Sequence, residues 1–356
     1  MTKRTIPKKR IVAALLGNGH IGLIEEVIPA VKPGTVLVEV HSSLISPGTE
    51  LGGWHQLRQQ LAQPKADARP TPFGYANAGV VLKIGAGASG LKPGDRVSCL
   101  GSGYAQHTDF CVVPHNLCAK IPDTVTFDQA SYGHLAVTAL HALRRAQPEF
   151  GEFFAVVGLG IVGQLTANLL ALNGIYVIGW ETIPFRIAIA RKNTFATAVA
   201  PDKEDAVAIT QKFTGGHGLD GAVFAFGGDG TKAMEQMLNC MKLSPDTHRM
   251  GRIVVVGGTR FPLPLAVSNM DYRVAGRTGP GYHDNSWEVG TDYPPVFMRW
   301  TTRTNLALCL RLIGEGKLDV DCLTTHRIAL ENVDTGIQKA IRDPDKVLGV
   351  VLTMKH

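Results

Sequence analysis

No apolar run in this sequence comes near the roughly 18 residues that a membrane span requires, so no membrane partner is expected. Cysteine is scarce, with 6 in 356 residues, and none forms a C-x-x-C pair or a close cluster. That excludes a disulfide framework and leaves buried, reduced thiols in a cytoplasmic protein. Internal repeats and low-complexity tracts are absent as well. Charge is sparse at 19%, and the net charge of +6 is concentrated in Lys3, Arg4, Lys8, Lys9 and Arg10. No basic stripe runs through the remainder, so nucleic acid is not an expected partner and the basic segment reads as a solubilising tail. Followed by apolar residues 11–16, the same segment has the outline of a secretory leader. The apolar run is too short, and no small-residue cleavage site precedes Glu25-Glu26. A first strand turning at Gly17-Asn18-Gly19 is the expectation.

What the chain does have is length for two ordinary domains, 45% hydrophobic residues and 40 glycines. Three of those glycines stand out by their context. The β-forming run Phe153-Phe154-Ala155-Val156-Val157 ends in Gly158-Leu159-Gly160-Ile161-Val162-Gly163, a G-x-G-x-x-G sequence. A helix-forming segment, 164–172, follows and stops at Asn173-Gly174; a second apolar run, 175–180, then ends in Glu181. Strand, glycine turn, helix, strand and acidic residue within about 30 residues predict a dinucleotide site. Gly158 allows the tight turn, Gly160 admits a pyrophosphate, and Gly163 lets the helix pack on the sheet. The helix N-terminus offers free N–H groups to the phosphates. Glu181 is placed to take both hydroxyls of an adenosine ribose, which favours NAD(H) over NADP(H). Arg186 stands five residues further on, within reach of a phosphate there. Later strand ends, at Phe226-Gly227, Gly257 and Gly276-Arg277-Thr278, complete the candidate cofactor set.

The rest of the chain sorts around that unit. Short β-rich runs at 10–16, 20–27 and 35–41 alternate with turns, and Val36, Val38 and Val40 alternate with Leu37, Glu39 and His41. That alternation predicts a strand with one face in a core. A loop over 42–50, a Gln-rich helix or flap over 54–69, and further strands near 73–81, 94–99 and 110–113 predict a barrel-like β domain over 1–125. Residues 127–145 read as a helix feeding the glycine turn. Strands at 198–200, 221–226, 252–256 and 273–276 then alternate with helices at 184–192, 204–213 and 231–242. That is the pattern of a doubly wound parallel sheet. A loop rich in aromatic and charged residues, 277–301, precedes a helix at 303–315 and β-rich ends at 326–330 and 347–352. Loops of that composition carry function.

The order of parts resembles the medium-chain dehydrogenase/reductase superfamily over nearly the whole chain. Pro33-Gly34-Thr35-Val36-Leu37-Val38-Glu39-Val40 and Lys92-Pro93-Gly94-Asp95-Arg96-Val97 are similar to its N-terminal pattern. Ser46-Pro47-Gly48-Thr49-Glu50, Gly279-Pro280-Gly281-Tyr282, Tyr293-Pro294, Arg299-Trp300-Thr301 and Thr325-His326-Arg327 resemble its zinc-type alcohol dehydrogenase-like branch, including the N-terminal halves of bi-domain oxidoreductases. The Ser46–Glu50 segment is also similar to bacteriochlorophyllide dehydrogenases. The resemblance implies an α/β protein with a GroES-like β-rich catalytic domain, 1–150 with 279–356, and a Rossmann cofactor domain, 151–278.

The same resemblance implies where zinc ligands would fall, and the residues there differ. A cysteine is replaced by Ser46-Pro47, the G-H-E ligand position reads Gly74-Tyr75-Ala76, and the third position falls near Gly133. The structural zinc loop is missing, since Gly101-Ser102-Gly103-Tyr104-Ala105 crosses that region directly. Of His41, His55, His107, His115, His134 and His141, no pair has convincing ligand spacing. His134 is the best remaining ligand candidate; its alternative is a histidine bonded to backbone or substrate. The expectation is an enzyme without zinc.

Without a metal, a hydrogen-bond donor must polarise the substrate oxygen. Ser46, Thr49 and Tyr75 fall where relatives have ligand and relay groups, so Tyr75 is the expected donor, with Thr49 and His134 relaying or positioning. Glu50 is expected to hold its loop by hydrogen bonds. Trp54, Arg277, Tyr282, His283, Arg299 and Trp300 would face a small polar substrate, although Arg299 could equally pair with Asp292 or Asp284. The expected activity is NAD(H)-dependent interconversion of an alcohol, of polyol, sugar or cyclitol type, and its ketone. The alternatives are an NADPH-dependent quinone or enone reductase and a dinucleotide-binding sensor without turnover. A homodimer or homotetramer is expected.

Overall fold

A computed structural model describes residues 6–64, 69–193, 197–263 and 268–356, apart from the side chains of Trp54 and Ser268. The chain divides into two compact units. One comprises Met1–His134, Pro280–Glu315 and Thr324–His356; the other comprises Leu135–Gly279 and Gly316–Leu323.

The first unit is built on a seven-stranded sheet. Its order is Thr324–Ala329, Gly349–Thr353, Thr35–Ile45, Ala76–Ile84, Arg96–Leu100 and Cys118–Lys120, with Phe110–Pro114 also pairing to Thr35–Ile45. The alternation over 36–41 predicts one face in water, but both faces are covered: Leu37 and Glu39 are buried beside Val36, Val38 and Val40. Register shifts between Leu37 and Val38 and between Val40 and Ser42 bend this strand, as extra residues in an antiparallel pair do. The strand runs on to Ile45, and the expected loop shrinks to one turn of helix, Pro47–Glu50.

A second, three-stranded sheet places Lys9–Leu15 between Ile21–Val27 and Thr71–Pro72. Here the basic segment departs from a solubilising tail. Lys9 pairs with Glu25 at the surface, but Arg10 is buried, donating from Nε to Glu26 at 2.9 Å and from Nη2 to Gln106 at 2.9 Å. Lys3 and Arg4 lie outside the described residues. Of the two alternatives over 54–69, helix or flap, the structure has a helix, Gly53–Ala62.

The single helix expected over 127–145 is two, Phe127–Ser131 and Gly133–Ala146. Thr126 caps the first, accepting the Gln129 N–H while the Gln129 side chain returns to the Thr126 N–H, a reciprocal arrangement that satisfies two orphan donors. The helix Val333–Arg342 was not foreseen among the β-rich ends. It buries Val333, Ile337, Ala340 and Ile341 on one face.

The second unit is an all-parallel sheet in the order Ala198–Val199, Tyr176–Trp180, Phe153–Val157, Gly221–Phe224, Arg249–Val255, Ser268–Val274. Numbered along the chain, that is 3-2-1-4-5-6, the doubly wound dinucleotide-binding order. Alternate residues feed opposite cores. Phe154, Val156, Val177, Val223 and Val254 pack with Leu170 and Ile187, while Ala155, Val157, Ile178, Trp180 and Phe224 pack with Met234 and Met237. Burial on both faces explains why these strands read as unbroken apolar runs.

Candidate cofactor and catalytic sites

In the second unit, each glycine of the turn meets a different steric demand. Gly158 has φ +88°, and a Cβ there would lie 3.0 Å from Phe226 Cβ and 3.1 Å from the Ala225 carbonyl oxygen. Gly163 faces the turn so closely that a Cβ would sit 1.8 Å from the Gly158 oxygen. Nothing lies within 4 Å of a Cβ at Gly160, which is the N-cap of the helix Ile161–Leu172. The turn therefore leaves an open face in front of unpaired helix N–H groups, the geometry that receives a phosphate.

Glu181 follows the neighbouring strand and is already engaged. Its Oε2 accepts the Leu159 N–H at 2.8 Å; its Oε1 accepts the N–H groups of Thr182 and Ile183 at 2.7 and 3.1 Å. Arg186 Nη1 stands 3.5 Å from Oε2, and its buried Nε has no partner. Oε1 also takes the Thr182 hydroxyl at 3.3 Å and is saturated, so Oε2 is the oxygen with acceptor capacity left for a hydroxyl. Leu159 and Ile161 are buried within the turn and Val162 is half-buried.

Gly227, Gly257 and Gly276 are exposed just beyond the carboxyl ends of Gly221–Phe224, Arg249–Val255 and Ser268–Val274. That is the edge at which open parallel sheets bind ligands. Phe226 is half-buried, its carbonyl accepting from Thr259 Oγ1. Arg277 is exposed with φ +60°, and Thr278 is fully buried. The strand order, the glycine turn and the acidic residue at the next strand end define the fold of a dinucleotide-dependent oxidoreductase.

In the first unit, Tyr75 and His134 come together. Their rings are 4.3 Å apart, and His134 Nδ1 lies 3.0 Å from the Tyr75 carbonyl oxygen. That oxygen can only accept, so Nδ1 carries the proton and His134 is the Nδ1–H tautomer. Burial, above all, pushes His134 down to about 4, with the Tyr75 carbonyl pulling it up and His283 pushing further down. The imidazole is therefore neutral at physiological pH.

The Tyr75 hydroxyl lies beside the hydroxyls of Ser46 and Thr49. Burial drives this phenol far above the ordinary tyrosine range, and the Glu50 carboxylate pushes it higher, while Ser46 and Thr49 pull it back. It remains a hydroxyl under all working conditions. Ser46 is buried and Thr49 exposed. Glu50 does hold the turn, accepting the Ser46 N–H at 2.7 Å.

Tyr282 and His283 join this cluster from the aromatic loop. Tyr282 meets His134 edge-on at 5.7 Å and stacks obliquely on His283 at 4.0 Å. The Tyr282 oxygen accepts the Ser102 N–H at 2.9 Å, and Glu288 accepts the His283 N–H at 2.8 Å. Arg299 and Trp300 are exposed, the guanidinium 4.6 Å over the Trp300 ring. Neither acid considered for Arg299 takes it, since Asp284 bonds Tyr293 at 2.7 Å and Asp292 accepts from Asn116 at 2.8 Å. The Trp54 side chain lies outside the described residues.

At the positions where zinc-dependent relatives place ligands, the donors present do not suit the metal. Tyr75 is a phenol with a strongly raised pKa, and His134, with Nδ1 donating to backbone, offers at most one ligand atom, Nε2, where a catalytic zinc usually needs three protein ligands. A side chain at Gly133 would strike Ser98 Oγ at 2.4 Å and Leu306 at 2.6 Å. Among the described residues no group of three His, Cys, Asp or Glu is arranged to hold a metal ion.

Comparisons agree with this architecture. Residues 32–123, which carry Ser46, Thr49 and Tyr75, match the family model of the alcohol dehydrogenase GroES-like domain. L-threonine 3-dehydrogenase of Pyrococcus horikoshii is 26% identical over 341 residues, covering 86% of this chain and 87% of that protein. Sorbitol dehydrogenase of Mus musculus is 24% identical, covering 91% and 90%. Among solved structures, 2R,3R-butanediol dehydrogenase from Bacillus subtilis superposes with TM-score 0.72 at 20% identity, covering 97% and 99%. The chain belongs to the medium-chain dehydrogenase/reductase superfamily and is an enzyme of alcohol dehydrogenase type.

Proposed function

We propose that the protein is an NAD(H)-dependent, zinc-independent oxidoreductase interconverting a polar secondary alcohol, of polyol, sugar or cyclitol type, and its ketone. The observation that carries this reading is the Tyr75 hydroxyl, buried, flanked by Ser46 and Thr49, and kept in the phenol form. Residues 158–163 would hold the pyrophosphate and Glu181 the adenosine ribose, with Gly227, Gly257 and Gly276 leaving the strand ends clear. Bound there, the nicotinamide supplies or accepts the hydride. Tyr75 keeps its proton and donates a hydrogen bond to the substrate oxygen as negative charge develops there, and the proton that completes or leaves the alcohol is exchanged with water. Ser46 and Thr49 orient the phenol, and the exposed Thr49 offers the proton a route to water. Neutral His134 fixes the Tyr75 backbone and packs on its ring. Tyr282 and His283 present polar edges to a hydroxylated substrate, in line with relatives named for threonine, sorbitol and D-xylulose.

Zinc independence is supported by the closed Gly133 position and the donor set around it. A homodimer or homotetramer belongs to the same proposal, supported by the edge strand Ser268–Val274 with Val274 exposed. A cytoplasmic location is supported by free thiols throughout, of which only Cys322 is not buried; no helix among the described residues is long and apolar enough to cross a membrane.

One observation favours a second reading, an NADPH-dependent quinone or enone reductase: Arg186 stands beside Glu181 with an unpartnered Nε, a cation near where a 2′-phosphate would fall. Oxidation of NADH and NADPH with ketoses, inososes and quinones separates the readings. Turnover of a ketose or inosose with NADH is expected. Turnover of quinones with NADPH favours the second reading, and dinucleotide binding with no turnover points to a sensor.

A further inference from the structure

A closed polar chain runs away from Tyr75 behind the 46–50 turn. His107 is wholly buried, with Nδ1 2.8 Å from Ser43 Oγ and Nε2 3.3 Å from Glu50 Oε2. The same Glu50 oxygen accepts the Ser46 N–H at 2.7 Å, and Ser46 with Thr49 flanks the Tyr75 hydroxyl. The Glu50 side chain is 3% exposed, and its buried Oε1 has no hydrogen-bond partner. A carboxylate so enclosed is strongly disfavoured unless something compensates it, and among the described residues the imidazole N–H of His107 is the side-chain donor facing it.

His107 is itself rigidly placed. Its N–H donates to the Phe73 carbonyl at 3.1 Å and its carbonyl accepts the Ala13 N–H at 2.9 Å. The Phe73 ring meets the imidazole edge-on at 4.8 Å. Gly74 permits this approach: φ is +118°, and a Cβ there would lie 2.4 Å from the His107 nitrogen. Two routes thus converge on Tyr75, one through the backbone of the preceding residue and one through Glu50 and its turn.

We infer that His107 is a positioning residue for the reaction, acting through Glu50 to hold the turn whose Ser46 and Thr49 aim the Tyr75 hydroxyl at the substrate oxygen. It meets neither substrate nor cofactor, and the inference rests on the reading of Tyr75 as the donor. Partners one step behind a reacting group typically matter by about 10- to 100-fold.

His107→Phe keeps a ring against Phe73 and deletes both bonds; His107→Gln retains an N–H for Glu50. Both are read in the full chain with the ketone found in the screen above, alongside NADH titration. His107→Phe is expected to lower kcat about 10- to 100-fold with KM and NADH affinity nearly unchanged, and His107→Gln to recover most of that loss. In a Tyr75→Phe background the His107→Phe effect should shrink to about twofold or less, because both changes break one line of contacts. Unchanged kcat in folded His107→Phe, equal losses for Phe and Gln, or a full loss on top of Tyr75→Phe each overturns the inference while leaving the donor reading intact. Undiminished kcat in Tyr75→Phe alone overturns both. Should His107→Phe fail to fold, Ser43→Ala, which removes only the Nδ1 partner, takes its place in the same cycle. A kcat loss that vanishes in the Tyr75→Phe background supports the inference, and no loss overturns it.

Discussion

A methyl group at Gly163 would lie 1.8 Å from the carbonyl oxygen of Gly158. The two glycines, five residues apart, press the helix Ile161–Leu172 onto the strand end at closer range than any side chain allows. Gly163→Ala must push the helix away or twist the turn, and overpacking of this kind costs about 1–3 kcal/mol. Thermal unfolding should shift down accordingly, and NADH affinity should fall because the phosphate-facing N–H groups move. A Gly163→Ala protein with unchanged melting and NADH binding would show that the turn has slack that the geometry denies.

Cofactor choice turns on Glu181 and Arg186. A 2′-phosphate brought to about 4 Å from the Glu181 carboxylate loses roughly 1–4 kcal/mol, about a fivefold to nearly thousandfold preference for NADH. Fluorescence titration with both dinucleotides measures the ratio. Arg186→Ala should widen it, by removing the one cation beside that carboxylate. NADPH binding equal to or tighter than NADH in the native protein would reverse the assignment.

Tyr75→Phe removes a preorganised donor, and such losses run on the order of 10²–10³ in turnover. NADH affinity should hardly change, since the groups proposed to bind it are on the other unit. Thr49→Val should cost less, because water can bypass a surface hydroxyl. Steady-state kinetics on the ketone that turns over fastest decides; near-native kcat in Tyr75→Phe removes the phenol from the chemistry.

His134 gives stability a pH signature. Its folded pKa of about 4 lies below the ordinary 6.5, so between those values the unfolded chain binds more protons. The contribution is complete above about pH 6.5 and is lost as pH falls toward 4, amounting to about 3 kcal/mol at 1.36 kcal/mol per pKa unit. Urea unfolding across this range should show the decline, and His134→Asn, which still offers an N–H to the Tyr75 carbonyl, should flatten it. A slope unaffected by the substitution would assign the effect to other groups.

Dialysed protein should carry far less than one zinc per chain by elemental analysis. A catalytic site usually needs three protein ligands, and Gly133, at one of the three positions, has no side chain to supply one. A full equivalent of zinc, with activity lost to a chelator, would overturn the proposed chemistry.

The parts of this molecule that could be read from the sequence are those whose partners are near in the chain. Gly158, Gly160, Gly163 and Glu181 sit in one strand–helix–strand unit, so spacing alone implies their roles. Glu50 holding its own turn is likewise a contact over four residues. The contact of Glu50 with His107 spans 57 positions, and no periodicity announces it. Arg10 reads as part of a solubilising tail because its side-chain partners, Glu26 and Gln106, become neighbours only when the chain folds. The helix Val333–Arg342 shows Val333, Ile337 and Ile341 at intervals of one turn. Gly336 within it and the β-rich runs on either side hid that signal.

Glu181 has a further consequence. Three backbone N–H groups, one of them from the glycine turn, already fix its carboxylate before any ligand arrives. The ordering entropy of that corner is thus charged to folding and not to binding, so the site behaves as a rigid receptor. Removing the carboxylate would loosen the empty protein as well as weaken its grip on a ribose. The effect on melting temperature should appear with no dinucleotide in solution.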